Sequence, residues 1–462
     1  MSDRPNILMI MSDEHDPAVM GCYGDKIVQT PNFDRLANEG ITFDAAYTSS
    51  PLCAPSRASF TAVQYVSRCG VWTNDWSLAS DDYPSLPHAL NAAGYESWLG
   101  GKMHFATDHR YGFSDVYPGA NEGEKMRGEG KRRAFGDMTE SERGWAGRVA
   151  EFKTADTSSI LEKDRDVTAG CRDFLKNRKA DDKPFFLLAG YLAPHFPLTI
   201  PQEYYDRYKG KVPMPEIPEG LIENLPTNYK HLRAGFGVGQ ATDEETKLGR
   251  ELYWGFVNWL DDEVGKLLNA LGDSEVADNT IVIYCSDHGE NKGDHGLWWK
   301  NNMYEHAARM PLIVHWPKRW AGGQRRPSAC SLVDLAQTIG ELGGVERSDD
   351  WDGESLLNYL DDGNSEWRDI AVSEYYAHNI ASGFQMIRQG DWKYVYHTRF
   401  DDEHGPEREL YNLKDDPKEF DDLANDADQA DRVAQLHALL IQELKRDPEE
   451  AEAECRAGVV KE

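Results

Sequence analysis

The chain has 462 residues, 40% of them hydrophobic, and its 80 acidic against 50 basic side chains give a net charge of −30. Such a length can bury one large core plus a smaller appended unit, while so negative a surface opposes binding to nucleic acid or an anionic membrane, so an anionic substrate must meet a local cationic pocket. Seven cysteines without a repeating spacing suit a reducing compartment rather than a disulfide framework, and the expected location is cytoplasmic.

Residues 5–11 form a continuous apolar run, as in a buried parallel strand, too short to span a membrane and ending in Ser12-Asp13-Glu14-His15-Asp16. Thr30 reads as an N-cap with Pro31 at the first helical position, and Gly40 closes a helix carrying Phe33 and Leu36. Cys53-Ala54-Pro55-Ser56-Arg57 then sets a thiol, a proline, a hydroxyl and a fixed cation beside a helix N-terminus, which welcomes an anion. Three further strand-like runs end in ionisable residues: 95–99 leads into Gly100-Gly101-Lys102-Met103-His104, 184–192 into Ala193-Pro194-His195, and 280–285 into Ser286-Asp287-His288-Gly289. In open α/β sheets ligands bind just beyond the strand C-termini, so all four ends are expected at one crevice.

The predicted fold class is α/β: a large mixed, mostly parallel sheet flanked by helices over residues 1–365, followed by a smaller C-terminal domain of antiparallel sheet plus helix over 366–462. Segments 119–133 and 197–226 read as loops over the site, and 252–271 as a cover helix. A hairpin turning at Gly390-Asp391, a turn-rich acidic stretch over 410–424 and a helix at 430–444 with Val433, Leu436, Leu439, Leu440 and Leu444 inward complete the small domain. The acidic tail after Pro448 is expected to be mobile or to reach a neighbouring subunit in a homo-oligomer.

Asp13, Glu14, Asp287 and His288 make an oxygen-rich negative cluster that calls for a divalent cation. His288 either joins the ligands or hydrogen-bonds the nucleophile; oxygen donors favour Ca2+, and an imidazole admits Mn2+. Arg57, Lys102, His104, His195 and Lys300 are the cations suited to a tetrahedral oxyanion, whereas His295 and His306 read as structural. Only three residues separate Cys53 from Arg57, too few for the anion-wrapping loop of a thiol phosphatase.

At these residues the chain resembles a type I sulfatase of the alkaline phosphatase superfamily, whose Cys-x-Pro-Ser-Arg element is oxidised at Cys to formylglycine by a generating enzyme. A second family motif is matched by Gly94-Tyr95-Glu96-Ser97 and Gly101-Lys102-Met103-His104, and the similarity continues through Tyr191 to His195, Ser286 to Glu290, Leu332 to Leu335 and Glu409 to Leu413. Phe60, Ala62, Gly100 and Glu14 depart from the usual residues. The resemblance implies a formylglycine hydrate at position 53 beside the metal of Asp13, Glu14, Asp287 and, where it is a ligand, His288; one hydroxyl, activated by the metal and by Asp287, attacks a small-molecule sulfate ester and forms a covalent sulfate intermediate. It further implies that Arg57 and Lys102 hold the diol and sulfate, that His195 and Lys300 serve the leaving oxygen, that His104 takes the proton which regenerates the aldehyde, and that Asn74 contacts sulfate.

Two rival functions are compatible with the same residues. One is a phosphonate monoester or phosphodiester hydrolase of the same superfamily, disfavoured because Lys102 and His104 both match the arylsulfatase pattern. The other is a non-catalytic binder of sulfated ligands that keeps Cys53 as a thiol. Trp72, Trp76, Trp298 and Trp299 are candidates for an apolar leaving-group pocket or for packing.

Overall fold

The four apolar runs become neighbouring parallel strands. The computed structural model describes residues 4–106, 108–116, 132–376 and 378–459. Its main sheet contains β1 (Asn6–Ser12), β2 (Ile41–Phe43), β3 (Glu96–Gly101), β4 (Ser114–Asp115), β5 (Phe185–Gly190), β6 (Thr280–Ser286), β7 (Leu312–His315) and β8 (Gln324–Arg326). Their spatial order is β8-β2-β7-β6-β1-β5-β3-β4. The pairings from β6 through β1, β5 and β3 to β4 are parallel, and only β7 runs antiparallel to its neighbours.

Both faces of this sheet are covered, which is why its central strands read as unbroken apolar runs rather than alternating ones. Leu8 and Ile10 of β1 enter one core while Ile7, Met9 and Met11 enter the other. Helices α1 (Pro31–Glu39), α2 (Cys53–Ala62), α3 (Ser159–Asn177), α4 (Asp243–Gly272) and α5 (Leu332–Leu342) supply the covering faces. Leu161 and Leu175 of α3 and Phe256, Leu260 and Leu267 of α4 close the first core; Phe60 of α2 and Leu335 and Ile339 of α5 close the second.

Several local expectations are corrected. The cover helix α4 begins at Asp243, nine residues before the apolar pattern at 252, because Thr242 and Glu245 form a reciprocal capping box. Thr30 stands at the start of α1, but its hydroxyl accepts the Gly21 amide at 2.9 Å. The Asn32 and Phe33 amides are instead taken by Asp261 of α4, at 3.1 and 2.8 Å. Segment 197–226 is not merely loop: Thr199–Ile200 pairs with Lys153–Thr154, and a helix over Gln202–Tyr208 buries Tyr204 and Tyr208. Residues 119–131 of the other predicted loop lie outside the described residues.

The C-terminal sheet is an antiparallel meander of β9 (Ile370–Tyr375), β10 (Phe384–Gln389), β11 (Trp392–His397) and β12 (Glu407–Asn412). The turn falls at Gly390-Asp391, with Gly390 at φ 57°. Residues at the head of the 410–424 stretch are thus strand, not turn. Side chains alternate: Ile370, Val372, Tyr394 and Leu410 pack with α6 (Ala430–Leu444), whereas Ala371, Tyr375, Val395 and Tyr411 join the first core of the large sheet.

The expected mobile tail is a helix, α7 (Pro448–Val459). Ala451 and Cys455, four residues apart, turn into the second core, and the acidic composition belongs mainly to the outer face. Glu452 is an exception, buried and accepting hydrogen bonds from Arg132 at 2.8 Å, Arg456 at 2.6 Å and the Gly383 amide at 3.0 Å. The tail therefore closes on its own chain. Among the described residues no helix is long and apolar enough to cross a membrane. Replacing Glu452 by Ala strands the buried Arg132 guanidinium, and a loss of about 3–5 kcal/mol is expected, read as a lower urea midpoint.

Candidate active site

Strand register assembles the site. Ser12 pairs with Ser286, so Asp13 and Asp287 follow side by side at the ends of β1 and β6. Gly101 pairs with Gly190 at the ends of β3 and β5, and both glycines are required there. A Cβ on Gly190 would stand 2.1 Å from the Lys102 carbonyl oxygen, and one on Gly101, at φ 96°, 2.1 Å from the Gly190 oxygen. This close approach carries Lys102 to Asp13, with Nζ 2.5 Å from Oδ2.

Helix α2 enters from the other side, buried along its whole length, with Cys53 at its first position and Arg57 one turn on. The Arg57 guanidinium bridges the two strand ends: Nε donates to Asp287 Oδ2 at 2.8 Å and Nη2 to Asp13 Oδ2 at 3.1 Å. Nη1 donates to the Lys102 carbonyl at 2.7 Å, and Ser56 anchors the same turn by donating to the Asp287 carbonyl at 2.8 Å. Asn74 Oδ1 accepts the Ala54 amide at 2.9 Å. That residue thus supports the helix start beside the thiol.

With the Oδ2 atoms so occupied, ligand atoms from Asp13, Asp287, His288 and Cys53 converge within 4.8 Å of one another. Cys53 Sγ lies 3.2 Å from His288 Nε2 and 3.6 Å from Asp13 Oδ1. The set offers two carboxylates, one imidazole and the residue at position 53, all fully buried, a donor chemistry that suits a divalent cation. Glu14 is outside this foursome; its ligand atoms group instead with Asp13 and His195.

On that side Lys300 Nζ is 3.1 Å from Glu14 Oε1, His195 Nε2 is 3.3 Å from Glu14 Oε2, and the two nitrogens are 2.8 Å apart. His104 is half-buried near Cys53, and its Nδ1 finds no hydrogen-bond partner among the described residues. All eleven residues expected from the sequence therefore lie in one connected cluster.

Burial alone would raise the Cys53 thiol, but Lys102, Lys300 and His288 overcome it and hold it well below the ordinary thiol range. Burial also penalises ionised Asp13, yet Lys102, His195 and Arg57 keep its carboxyl far below the usual value. Glu14 is pushed the other way, well above, by burial and by Glu290 and Asp13 despite Lys300.

Sequence reasoning missed the residues that hold these groups in place. Asp164 on α3 accepts the Leu192 and Ala193 amides, both at 2.8 Å, ahead of His195, and burial lifts its carboxyl to about 7. Glu290 Oε1 accepts the Trp299 amide at 2.6 Å, ahead of Lys300. Tyr253 donates to the Glu14 carbonyl at 2.6 Å. Asp164 and Tyr253 sit inside helices with no local signal; Glu290 follows Asp287-His288-Gly289 and was readable as part of that motif. His295 stacks on Tyr304 and His306 pairs with Asp16 at 2.7 Å, both outside the donor cluster. Trp72 and Trp76 pack in the second core, while Trp298 and Trp299 join an aromatic group with Trp145, Phe152, Phe196 and Phe236.

The family model described as Sulfatase matches residues 5–345, and one described as N-sulphoglucosamine sulphohydrolase, C-terminal, matches 293–447. The chain belongs to the sulfatase family. The choline-sulfatase of Rhizobium meliloti is 31% identical over 91% of this chain and 82% of its own length. The N-acetylglucosamine-6-O-sulfatase of Bacteroides thetaiotaomicron is 29% identical over 97% and 88%. Among solved structures, one in complex with its substrate D-glucosamine-2-N,6-O-disulfate has a TM-score of 0.76 at 26% identity, covering 97% of this chain and all of that one. The phosphonate monoester hydrolase of Agrobacterium radiobacter has a TM-score of 0.78 at 22% identity over 98% and 96%, a likeness of fold. The protein is thus a sulfatase, a sulfuric ester hydrolase of the alkaline phosphatase superfamily, and sulfatases generally use a metal and a formylglycine.

Arg57→Met should leave Asp13 and Asp287 buried without their shared guanidinium and cost about 3–5 kcal/mol, measured in metal-free buffer by urea unfolding. A change below about 1 kcal/mol would show that the clamp is not what holds the two strand ends.

Proposed function

We propose that the protein cleaves sulfate monoesters with a formylglycine made from Cys53 and a divalent ion, Ca2+ before Mn2+, held by Asp13, Asp287, His288 and residue 53, with Glu14 at the rim. The observation that carries this reading is the placement of the Cys53 sulfur, 3.2 Å from His288 Nε2 and 3.6 Å from Asp13 Oδ1. Predominantly oxygen donors support Ca2+, and the single imidazole keeps Mn2+ as the alternative.

The bound ion and the hydrated aldehyde together supply Lewis-acid polarisation, a nucleophilic hydroxyl and a second hydroxyl whose deprotonation expels sulfate. This chain's residues do the rest. Lys102 sets its ammonium against Asp13 and the ester's oxygens, and Arg57, its donors engaged by Asp13, Asp287 and the Lys102 carbonyl, adds fixed positive charge behind them, so that charge developing on the transferring group is met by groups already in place. Lys300 Nζ and His195 Nε2, 2.8 Å apart, share the proton delivered to the departing alcohol oxygen. His104 takes a proton at its imidazole from residue 53, and Asn74, whose Oδ1 accepts the Ala54 amide, contacts sulfate through its amide nitrogen in this reading.

Helix α2 is buried from Cys53 to Ala62, so the generating enzyme must read Cys53 to Arg57 before folding is complete. Seven free cysteines support a cytoplasmic setting for this maturation. The relatives named for choline sulfate and for N-acetylglucosamine-6-O-sulfate act on alcohols of different charge, so the leaving group is decided at the rim, not at the sulfate.

Peptide mass spectrometry of active protein should find aldehyde in place of thiol at position 53. Activity with an intact thiol would overturn the reading. The same preparation should favour 4-nitrophenyl sulfate over an aryl phosphonate monoester, and the reverse preference would assign the phosphonate class. His195→Ala should lower kcat by about 10²–10⁴ on an alkyl sulfate, and by less on 4-nitrophenyl sulfate, whose leaving group needs no proton. Equal losses would remove His195 from the leaving-group role.

A further inference from the structure

The two residues proposed to serve the leaving oxygen each have an aromatic chain neighbour, and each of those rings carries an arginine. Phe196 directly follows His195, and Trp299 directly precedes Lys300; their rings meet edge-on with centroids 5.7 Å apart. Arg143 lies over Phe196 at 5.1 Å. Arg148 lies over Trp299 at 5.2 Å and over Phe236 at 5.1 Å, with the Phe236 and Trp299 rings themselves 5.1 Å apart.

The two arginines differ in their counter-charge. Arg143 is exposed and paired with Glu151. Arg148 is half-buried, and its guanidinium donates only to neutral oxygens, the Gly144 carbonyl at 2.7 Å and Ser141 Oγ at 3.3 Å. Among the described residues no carboxylate is within ion-pair distance of it, although the chain carries 30 net negative charges. Glu151 is engaged by Arg143, and Glu140 accepts from Gln240 at 2.6 Å through Oε2, its Oε1 having no hydrogen-bond partner among the described residues. Burial, compounded by the like charge of Arg143, lowers the Arg148 pKa, and Glu140 and Glu151 oppose this only from beyond ion-pair distance. A partly desolvated planar cation packed against two adjoining rings, with no carboxylate in direct ion-pair contact, is a receptor for an anion.

We propose that Arg148, packed against Trp299 and Phe236 on the leaving-group side of the site, recognises a second anionic group, a carboxylate or a further sulfate, on the alcohol portion of the substrate. This rests on the sulfatase reading, in which His195 and Lys300 mark the leaving-group side. The substrate is then a dianion whose alcohol lies along the aromatic shelf, its reacting sulfate at residue 53 and its second anion at Arg148. A cationic alcohol is disfavoured, because it would face Arg148, Arg143 and Lys300 together.

The test compares 4-carboxyphenyl sulfate, hydroquinone disulfate, 4-nitrophenyl sulfate and choline O-sulfate as substrates of the aldehyde-bearing enzyme and of Arg148→Met. The variant should lose at least about tenfold more kcat/KM on the carboxylate or disulfate than on the nitrophenyl ester, chiefly through KM. Whichever dianion suffers the larger selective loss identifies the anion. Equal loss on the dianions and the nitrophenyl ester, or a wild-type preference for choline O-sulfate, would overturn the proposal while leaving the sulfatase reading intact. Failure of aldehyde-bearing wild type to turn over any sulfate would overturn both. Should the variant not fold, product inhibition of the wild type decides: 4-hydroxybenzoate should inhibit about tenfold more tightly than phenol, and equal inhibition counts against Arg148.

Discussion

One guanidinium lets two buried carboxylates stand at adjoining strand ends. Asp13 and Asp287 repel each other in a medium too dry to screen them; Lys102 and Arg57 hold Asp13 ionised, while Arg57 opposes the burial that raises Asp287. By engaging Oδ2 of each, Arg57 neutralises the back of the pair and leaves the front for an ion. Arg57 and Cys53 are four residues apart on α2, hence on one helical face. The same rigid turn that fixes the acids therefore fixes the residue at position 53 against them, and no loop intervenes between the two.

This arrangement reconciles an acidic protein with an anionic substrate. Arg57, Lys102, Lys300, His195 and His288 gather around Asp13, Glu14 and Asp287 in a buried volume, so the site's local balance is independent of the −30 carried by the whole chain. Short-range interactions in a desolvated site outweigh the diffuse surface field, which is screened within about 8 Å at physiological salt. The surface charge governs encounter and solubility; the buried cations govern which group is accepted.

What the sequence disclosed divides by physical cause. Buried parallel strands announce themselves as apolar runs, and the ionisable residues that follow are visible because polar groups after such a run need a reason; hence Asp13, Lys102, His195 and Asp287 were all readable. The reasons for register were not: Gly101 and Gly190 look like ordinary strand-end glycines until their backbones are seen in contact. Helix α7 was misread as a mobile tail because its glutamates dominate composition, whereas the two inward residues that decide its fate, Ala451 and Cys455, are small. Thr242 and Glu245 lay outside the apolar pattern and so outside the helix it suggested. Arg148 was invisible for another reason. Nothing in its neighbours states that two rings distant in sequence pack against it.

Backbone strain follows the same logic of support. Glu14, His104, Trp299 and Asn301 have left-handed φ values of 67°, 58°, 64° and 80°, each costing about 1–3 kcal/mol for a residue with a side chain. All four belong to or adjoin the groups that face residue 53. Three are held by partners remote in sequence: Tyr253 donates to the Glu14 carbonyl, Glu290 receives the Trp299 amide, and the Asn301 amide reaches the Pro51 carbonyl at 3.1 Å while its side chain donates to Tyr375 at 2.7 Å. The large core offsets this strain, and what the strain secures is direction. A relaxed backbone at Trp299 would turn Lys300 away from His195, and the same displacement would carry the indole off Arg148. In the proposed reading, leaving-group protonation and leaving-group recognition thus hang on one constrained pair of residues, Trp299 and Lys300, and a change in the alcohol accepted would also disturb how that alcohol is protonated.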